Sequence, residues 1–426
     1  MRILFATEYY APFAPGGSPW SIEALGGLLT QRGHMVTVVT PGWGGPGCED
    51  GPGPRIVRFP IRRRLAAGAS LAPTRTLVSP WFHLRLCRAI VVEARRTGAE
   101  VIHAQDKHAL VGSYLAGRYL GRPVFLTLRD AGLICPIATC LLSHEFVPGN
   151  CSALKLQHDC VPFYLDHYIG AGRLRRAAVR LHLALLYADA QLKNVVLRRL
   201  DGLIGVSAGL LEIYLRAGHG RRERARVVYT PSPDDSALNE ADVKALRARH
   251  GLDGRVAILY VGKVSLGKGG PVFLSAAAHV ARARPDAVFL IAGDSRPTAT
   301  PLADVRWLGR IAHDSMHALY RAADLVVVPS VGPEALSRVP LEAGAAGRPT
   351  VGSRAGGIPE QIVDGETGLV VERNNPDALA EAILRLLDAE ELRRRLGENA
   401  RRFVAERFGA DAVVETLLTA YAEARA

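Results

Sequence analysis

The sequence lacks any long uninterrupted apolar run, although 48% of its 426 residues are hydrophobic. No segment reaches the roughly 18 uncharged apolar residues that a membrane-spanning helix requires, so we expect no transmembrane helix. A signal-peptide pattern is absent as well, because the N-terminus passes directly into a predicted strand from Arg2 to Ala6. These absences predict a globular protein of the cytoplasm.

Acidic residues are the minority among the charged ones. The 41 Asp and Glu stand against 53 Lys and Arg, which gives a net charge of +12. Nucleic acid, an anionic membrane surface or a phosphorylated small molecule could each explain this excess. The sequence has no nucleic-acid-binding motif, and aromatic residues do not interleave with the basic ones. We therefore expect no nucleic-acid partner.

Cysteine is scarce, and no Cys-x-x-Cys pair occurs. Four of the six cysteines fall within one stretch: Cys135, Cys140, Cys151 and Cys160. Their spacings are wider than those of usual zinc-ligand pairs. We expect reduced thiols packed in a loop, as is usual in the cytoplasm. A metal ion or a disulfide that closes this loop is the alternative, which metal analysis of the purified protein would test.

The chain is longer than the size at which one hydrophobic core keeps growing, so two domains are expected. It opens with a strand-helix-strand pattern, in which a helix is predicted from about Trp20 to Arg32 and a strand from Met35 to Val39. Gly16 and Gly17 lie in the loop before this helix, where bare backbone amides can approach a phosphate group.

A short stretch of the second half carries two carboxylates. Leu325 to Val328 is predicted to form a buried parallel strand, and the Gly/Pro turn after it carries Glu334. Pro340 is predicted to open a short helix and to place Glu342 in its first turn, where the helix dipole keeps a carboxylate charged. Open α/β sheets bind ligands at this edge, so we expect the carboxylates to accept hydrogen bonds from sugar hydroxyls.

Four sequence signatures follow one another from this point. They are the pair of Glu separated by seven residues, the run EAGAAGRP from Glu342 to Pro349, GGIPE from Gly356 to Glu360, and DGETGLV from Asp364 to Val370. Their order resembles the donor half of the retaining family 4 glycosyltransferases. The resemblance implies the α/β GT-B fold, in which two doubly wound, Rossmann-like parallel-sheet domains face a central cleft.

The same resemblance implies a domain division. An N-terminal acceptor-side domain is expected over residues 1–230 and a nucleotide-sugar donor domain over residues 231–408. The last helix, residues 409–426, is expected to pack back on the N-terminal domain.

The strand that ends at Gly262 is followed by Lys263 and Lys268, similar to the family's GR-x(4)-KG with Lys263 in place of Arg. Cleaving the bond from sugar to diphosphate leaves negative charge on the diphosphate, which cations and helix-start amides can stabilise without a metal. The resemblance implies Lys263, Lys268 and Glu334 as catalytic residues and Glu342 as the ribose ligand. The other implied donor-binding residues are Gly16, Gly17, Gly262, Gly309, Ile311, Leu336 and Ser337.

Two further departures from the family pattern concern the candidate site. Arg129 stands where many members have a His, and an arginine cannot act as a general base. It could bind a phosphate or a carboxylate through two N–H groups instead, so we include Arg129 among the catalytic candidates. Ala335-Leu336-Ser337 replaces the usual Pro-Phe-Gly, which predicts an altered donor preference.

The expected function is that of a retaining, metal-independent glycosyltransferase without a cofactor. It would move a sugar from a nucleoside-diphosphate sugar to an acceptor that the sequence leaves open: a glycan, a lipid-linked molecule or a small molecule. A sugar-nucleotide epimerase on the same fold and a non-catalytic nucleotide-sugar-binding partner are the alternatives.

A long helical pattern from Gly172 to Leu200 places arginines beside leucines. A packed helix with a basic outer face explains it in purely structural terms. The functional alternative is peripheral contact with an anionic membrane surface, at the inner membrane face, or binding of a lipid-phosphate acceptor.

Overall fold

The computed structural model describes residues 1–13, 17–65, 74–138, 140–142, 151–170, 172–232, 240–293 and 304–425, except for the side chains of residues 313 and 314. The chain divides into two compact units. Unit 1 comprises Met1–Pro231 together with Ala410–Ala426, and unit 2 comprises Ser232–Gly409.

Unit 1 is built on an eight-stranded sheet with the order β3-β4-β2-β1-β5-β6-β7-β8. Neighbouring strands run parallel except for β3, which pairs antiparallel with β4. The strands are β1 Arg2–Ala6, β2 Met35–Pro41, β3 Gly47–Glu49, β4 Arg55–Phe59, β5 Val101–Ala104, β6 Val124–Leu128, β7 Gly202–Gly205 and β8 Ala225–Val227.

Helices cover the connections of unit 1. They are α1 Gly17–Gln31, α2 Thr74–Leu77, α3 Pro80–Thr97, α4 Leu110–Leu120, α5 Ala153–Lys155, α6 Val161–Tyr164, α7 Arg173–Leu197 and α8 Ala208–Arg216. Two π-helical turns, Leu156–Cys160 and Leu165–Ile169, flank α6, and a 3₁₀ turn spans Arg222–Arg224. The first helix thus begins three residues earlier than the apolar periodicity predicted.

Unit 2 has a six-stranded, fully parallel sheet with the order β11-β10-β9-β12-β13-β14. Its strands are β9 Val256–Val261, β10 Ala287–Ala292, β11 Val305–Gly309, β12 Leu325–Val328, β13 Thr350–Ser353 and β14 Gly368–Val371. Its helices are α9 Glu240–Arg249, α10 Gly270–Ala283, α11 His313–Ala322, α12 Arg338–Ala345, α13 Ile358–Gln361, α14 Pro376–Asp388 and α15 Glu390–Arg407. The apolar runs of the inner strands β9, β10, β12 and β13 are buried on both faces, as is usual for parallel sheets.

The last helix, α16 Ala410–Glu423, belongs to unit 1. Leu417 and Tyr421 of α16 lie in the same buried cluster as Ile3 and Phe5 of β1. The Tyr421 hydroxyl also contacts Nδ1 of the fully buried His103, at 2.5 Å. The C-terminal helix therefore completes the core of unit 1 rather than that of the unit from which it emerges.

The prediction of two doubly wound parallel-sheet domains is confirmed by the two sheets of eight and six strands. None of the helices in the described residues combines the length and the apolar character needed to cross a membrane.

The long basic helix α7 exposes a large part of its apolar side chains. In α7 the buried face is formed by Leu183, Lys193 and Asn194, among others, whereas Leu174 is 90% exposed. Four further large apolar residues project from the outer face: Leu181, Leu185, Leu192 and Val195. The leucine spacing is helical, as predicted, but spacing alone does not tell which stripe of a helix meets the core.

Candidate functional site

Two of the predicted catalytic residues of unit 2 contact each other. The Lys268 ammonium donates a hydrogen bond to Glu334 Oε1 at 2.6 Å, and the Ser330 hydroxyl donates to the same oxygen at 2.7 Å. The Glu334 side chain is only 13% exposed, whereas that of Lys268 is 49% exposed. The lysine thus presents a cation at the surface, and it is held by a carboxylate that lies mostly below the surface.

The position of Glu334 is set by the close approach of its backbone to that of Gly356. A Cβ on Gly356 would lie 1.9 Å from the Glu334 carbonyl oxygen, and the φ of Gly356 is +55°. The same carbonyl accepts a hydrogen bond from the Gly357 amide at 2.8 Å. A glycine is required at position 356 because any side chain would push the loop of Glu334 away.

The loop of Lys268 is held in the same manner. Gly269 has a φ of +70°, and a Cβ there would lie 1.8 Å from the Pro329 carbonyl oxygen. The Tyr260 hydroxyl donates to the carbonyls of Lys263 and Lys268, at 2.8 and 3.3 Å. Lys263 itself is exposed, and no residue within the described parts of the chain pairs with its ammonium group.

The expected place of Glu342 in a first helical turn is wrong. The helix α12 begins at Arg338, so Glu342 is its fifth residue. Pro340 sits in the first turn without loss, because the first N–H groups of a helix have no intrahelical partner. The Glu342 carboxylate is nearly buried and accepts hydrogen bonds from Arg338 Nε at 2.9 Å and from the Tyr320 hydroxyl at 2.8 Å. Its charge is thus held by side chains rather than by the helix dipole, and ribose binding stays a prediction.

The start of α12 lies directly after the predicted donor residues Leu336 and Ser337. Ser337 is buried, and its amide donates to Gln361 Oε1 at 3.1 Å while its carbonyl accepts from Gln361 Nε2 at 2.5 Å. Leu336 is half-buried. Gln361, which the sequence reasoning missed, therefore fixes the backbone at the mouth of α12.

The predicted base-binding residues lie at the end of β11. Gly309 is exposed with a φ of +69°, and its carbonyl accepts a hydrogen bond from the Gly293 amide at 2.9 Å. Ile311 is half-buried two residues further on. Gly262 follows β9 with a φ of +136°, and its carbonyl lies 2.0 Å from the place that a Cβ on Gly293 would take. Gly262 and Gly309 thus lie at the carboxyl ends of β9 and β11, the two strands that flank β10.

In unit 1, two N–H groups of Arg129 are already engaged. Its Nε and Nη2 donate to the backbone and side-chain oxygens of Gln105, both at 2.8 Å. Burial lowers the pKa of Arg129 to about 10, so the guanidinium stays protonated at neutral pH. A ligand at this position would therefore meet a positively charged guanidinium whose Nε and Nη2 groups are already hydrogen-bonded within the protein. Of the two predicted loop glycines, Gly17 begins α1, and Gly16 lies outside the described residues.

A polar cluster at the carboxyl edge of this sheet was missed by sequence reasoning. Glu8, Asp106 and Asp130 each lie two residues beyond a strand end, after β1, β5 and β6. The Asp106 carboxylate accepts from the Glu8 amide at 2.7 Å, and Lys107 donates to Asp130 at 2.9 Å. The three strands are neighbours in the sheet, so an acid at a fixed distance from each strand end could have predicted the cluster.

The carboxyl groups of this cluster differ in the direction of their pKa shifts. Burial raises the pKa of Glu8 well above the ordinary value, and the neighbouring Asp106 carboxylate adds to the effect. Burial also raises the pKa of Asp106. For Asp130 burial acts in the same direction, but the Lys107 ammonium outweighs it and the net pKa is lowered. The Glu8 carboxyl therefore retains its proton more readily than an exposed glutamate, while Asp130 is charged.

The four clustered cysteines, Cys135, Cys140, Cys151 and Cys160, form no disulfide in the structure. Burial raises the pKa of Cys135, and it raises that of Cys160 to about 11, where the other three thiols add to the effect. Within the described parts of the chain, no three His, Cys, Asp or Glu residues are grouped so as to hold a metal ion.

Two family models match the chain. The model described as "Glycosyl transferase 4-like domain" covers residues 16–231, and "Glycosyl transferases group 1" covers residues 242–403. The first spans about half of the 426 residues and the second spans most of unit 2.

Curated relatives match over shorter stretches. Alpha-D-kanosaminyltransferase from Streptomyces kanamyceticus is 36% identical over 208 residues, which are 46% of this chain and 54% of that protein. D-inositol 3-phosphate glycosyltransferase from Corynebacterium glutamicum is 37% identical over 158 residues, or 34% of this chain and 38% of that protein. The chain thus spans about half or less of the length of the curated relatives it matches.

A solved structure resembles nearly the whole chain. The crystal structure of Anabaena HepE in complex with UDP and glucose gives a TM-score of 0.70 at 20% identity, and the match covers 99% of this chain and 100% of that one. This likeness confirms the predicted GT-B fold. Together with the two matching family models, it leads to the conclusion that the chain belongs to the glycosyl transferase 4-like family.

Proposed function

We propose that the protein is a retaining glycosyltransferase, which moves a sugar from a nucleoside-diphosphate sugar to an acceptor hydroxyl without a metal or another cofactor. The observation that carries the proposal is the contact of Lys268 with Glu334, next to the exposed Lys263, at the carboxyl ends of parallel strands. Cations there suit a diphosphate, and a carboxylate suits sugar hydroxyls.

In the proposed reaction, the acceptor oxygen forms a bond to the anomeric carbon as the bond from that carbon to the diphosphate breaks. The leaving phosphate oxygen takes the acceptor proton, so no side chain serves as a covalent nucleophile. Lys263 and Lys268 stabilise the negative charge that develops on the diphosphate, and Glu334 orients the sugar. Glu342, Gly309, Ile311 and the start of α12 complete the proposed donor site.

The test compares Lys268→Ala and Glu334→Ala with Lys244→Ala, which removes an exposed lysine on α9. Calorimetric titration with a panel of nucleoside diphosphates and their sugars first identifies the donor. We expect Lys268→Ala and Glu334→Ala to lower turnover by about 100-fold or more, as is typical when a group that stabilises the transition state is lost. Lys244→Ala should keep wild-type turnover.

Three results would each contradict a part of the proposal. Unchanged turnover in both site variants would remove the site assignment. An epimerised donor, formed without any acceptor and without transfer, would assign the protein to the epimerase class, and donor binding without turnover under broad acceptor screening would make it a binding partner.

The proposal includes peripheral contact with an anionic membrane surface. The outer face of α7 presents leucines to solvent, and exposed arginines lie beside them at positions 173, 175 and 180. An amphipathic helix of this composition lies in the plane of a membrane interface, with its apolar face turned towards the acyl chains. Leu181→Ser with Leu185→Ser should weaken vesicle binding, whereas wild-type binding by this pair would contradict the contact.

A further inference from the structure

One stretch of unit 1 contains many basic residues and no acidic ones. Between Asp50 and Glu93 the chain contains eight arginines and no Asp or Glu. The overall excess of basic residues is therefore not spread evenly, because eight of the 53 Lys and Arg fall in this stretch.

This stretch lines two adjoining grooves on unit 1, which we call the arginine grooves. They lie between the carboxyl end of β4 and the helix α3, and both include Phe59, Ile61, Arg62 and Arg85. Apolar side chains contribute much of the lining, among them Val57, Phe82, Ala89 and Val92. The grooves thus combine apolar surface with guanidinium groups.

Five arginines of the grooves are exposed: Arg62, Arg63, Arg75, Arg85 and Arg88. Within the described residues, no carboxylate lies within ion-pair distance of any of the five. The two charged neighbours that could interfere are already paired, since Arg58 binds Glu49 at 2.8 Å and Glu93 binds Arg96 at 2.8 Å. Like charges held close together repel one another, so binding of an anion would stabilise this arrangement.

Large apolar residues extend the same surface. Trp81 lines one groove and is 72% exposed, and Leu84 on the same helix is more than half exposed. The Thr74 hydroxyl of α2 contacts Nε2 of His182 at 3.2 Å, so the grooves adjoin the helix α7. His182 lies between the exposed Leu181 and Leu185 in the sequence, so further exposed apolar residues lie on the element that the grooves adjoin.

We propose that the arginine grooves bind the phosphate groups of anionic lipids at a bilayer surface. The guanidinium groups pair with lipid phosphates, while Trp81 and the neighbouring apolar side chains contact the acyl region. The inference rests on the proposed peripheral contact and deepens it, because it names the residues that select anionic over neutral lipid. It does not depend on the proposed transfer reaction.

A lipid fits this surface better than nucleic acid does. Single-stranded nucleic acid is held by several aromatic side chains on which successive bases stack, whereas Trp81 is the one exposed aromatic among the described groove residues. Exposed leucines beside the grooves have no role on a polyanion, but they gain free energy of transfer in an acyl environment.

The experiment measures sedimentation of the full chain with vesicles of phosphatidylcholine alone or with phosphatidylglycerol added. We expect the wild type to prefer the anionic vesicles and the triple variant Arg62→Ala, Arg85→Ala, Arg88→Ala to bind them about tenfold more weakly or worse, given the attraction that each surface arginine contributes. The matched control removes three exposed arginines elsewhere: Arg118, Arg395 and Arg401. It should bind like the wild type.

A second variant separates charge from folding. Replacing the same three groove arginines by lysine keeps the charge and should retain most of the binding to anionic vesicles. Binding of the alanine triple variant within twofold of wild type, or equal binding of the wild type to both kinds of vesicle, would overturn the proposal. Retention on heparin without any vesicle binding would also overturn it, in favour of a soluble polyanion.

The readouts keep this inference distinct from the proposed reaction. Lys268→Ala should bind anionic vesicles like the wild type, and the alanine triple variant should retain transfer to a water-soluble acceptor. Loss of transfer in all proteins with intact vesicle binding would contradict the reaction alone. Intact transfer with vesicle binding that ignores the grooves would contradict the lipid site alone.

Discussion

The carboxyl edges of the two sheets are formed by different kinds of residues and contacts. At the edge of unit 2, glycines allow backbone segments to approach closely, and lysines lie beside a nearly buried glutamate. At the edge of unit 1, acidic side chains form a linked cluster around Lys107, and Arg129 is tied to Gln105. The edge of unit 2 is defined by backbone geometry, which restricts the ligands that it can accept to one class. The edge of unit 1 is defined by side chains, and amino-acid substitutions can alter these more freely than they can alter the backbone.

The largest effect that we predict breaks the backbone geometry of unit 2. Gly356→Ala places a Cβ against the Glu334 carbonyl at a residue with positive φ, so we expect the protein to lose about 2 kcal/mol or more of its free energy of unfolding. Donor affinity should fall at least about tenfold, because a displaced loop would no longer hold Glu334 in position beside Lys268. Urea unfolding and calorimetric titration measure both.

The matched control for this change is Gly365→Ala. Gly365 also has a positive φ, of +76°, but no atom lies within 4 Å of the place that its Cβ would take. This variant should suffer only from the backbone conformation. An equal loss in both variants would mean that the close approach to Glu334 has no energetic weight of its own.

The next effect separates the two edges. Lys107→Ala leaves Asp130 without its ammonium partner in unit 1, and we expect transfer to fall about tenfold through a raised KM for the acceptor. Nucleotide affinity should stay unchanged, because the contacts of Lys107 lie within unit 1. Acceptor-dependent kinetics and nucleotide titration test the two halves, and weaker nucleotide binding would contradict the division.

A smaller effect concerns Glu8. Burial raises its pKa, so the folded state binds a proton more tightly than the unfolded state and loses stability as pH rises above the unfolded pKa of about 4.5. Glu8→Gln removes this titration. We therefore expect the variant to gain stability over the wild type with increasing pH, by about 1.4 kcal/mol for each unit until the folded pKa is passed.

Urea unfolding at pH 4 and at pH 7.5 checks the Glu8 prediction, with Glu366→Gln as the control at an exposed carboxylate. The wild type and Glu8→Gln should be equally stable at pH 4. A variant less stable than the wild type at pH 7.5 would show that charged Glu8 stabilises the cluster.

The smallest effect compares two helix starts. Ser207 precedes α8, and its hydroxyl accepts from the Leu210 amide at 3.1 Å, so Ser207→Ala should cost about 1 kcal/mol. Ser337 precedes α12, and its side chain caps no amide among the residues that the structure describes. Ser337→Ala should cost less than about 0.5 kcal/mol. Thermal unfolding of the two variants tests the order, and a reversed order would contradict it.

The fold and the residues at the carboxyl edge of the unit 2 sheet could be predicted because both follow from local patterns in the sequence. Buried parallel strands appear as short apolar runs, and close backbone approach requires glycine, as at Gly356. The carboxyl edge of the unit 1 sheet is harder to predict, because Glu8, Asp106 and Asp130 are far apart in the sequence. Only the strand order shows that they lie close together. The same limit applies at α7, where periodicity identified a helix but could not identify the face that meets the core.

Glu342 illustrates a boundary error. Proline favours the first position of a helix, which predicted a start at Pro340, but two residues before it also adopt the helical conformation. The carboxylate thereby moved from the helix mouth to a position beneath Arg338 and Tyr320. Gln361 could not be found from its own neighbourhood, because its partner Ser337 lies 24 residues away.

The short contact between Lys268 and Glu334 has a consequence for sugar recognition. With its Oε1 already engaged by an ammonium and a hydroxyl, the carboxylate is poorly disposed towards free monosaccharides in the surrounding solution. Under the proposed function, a diphosphate would draw on the same ammonium and so loosen its hold on the carboxylate. Sugar recognition would then depend on prior recognition of phosphate, which would favour an activated sugar over a free one.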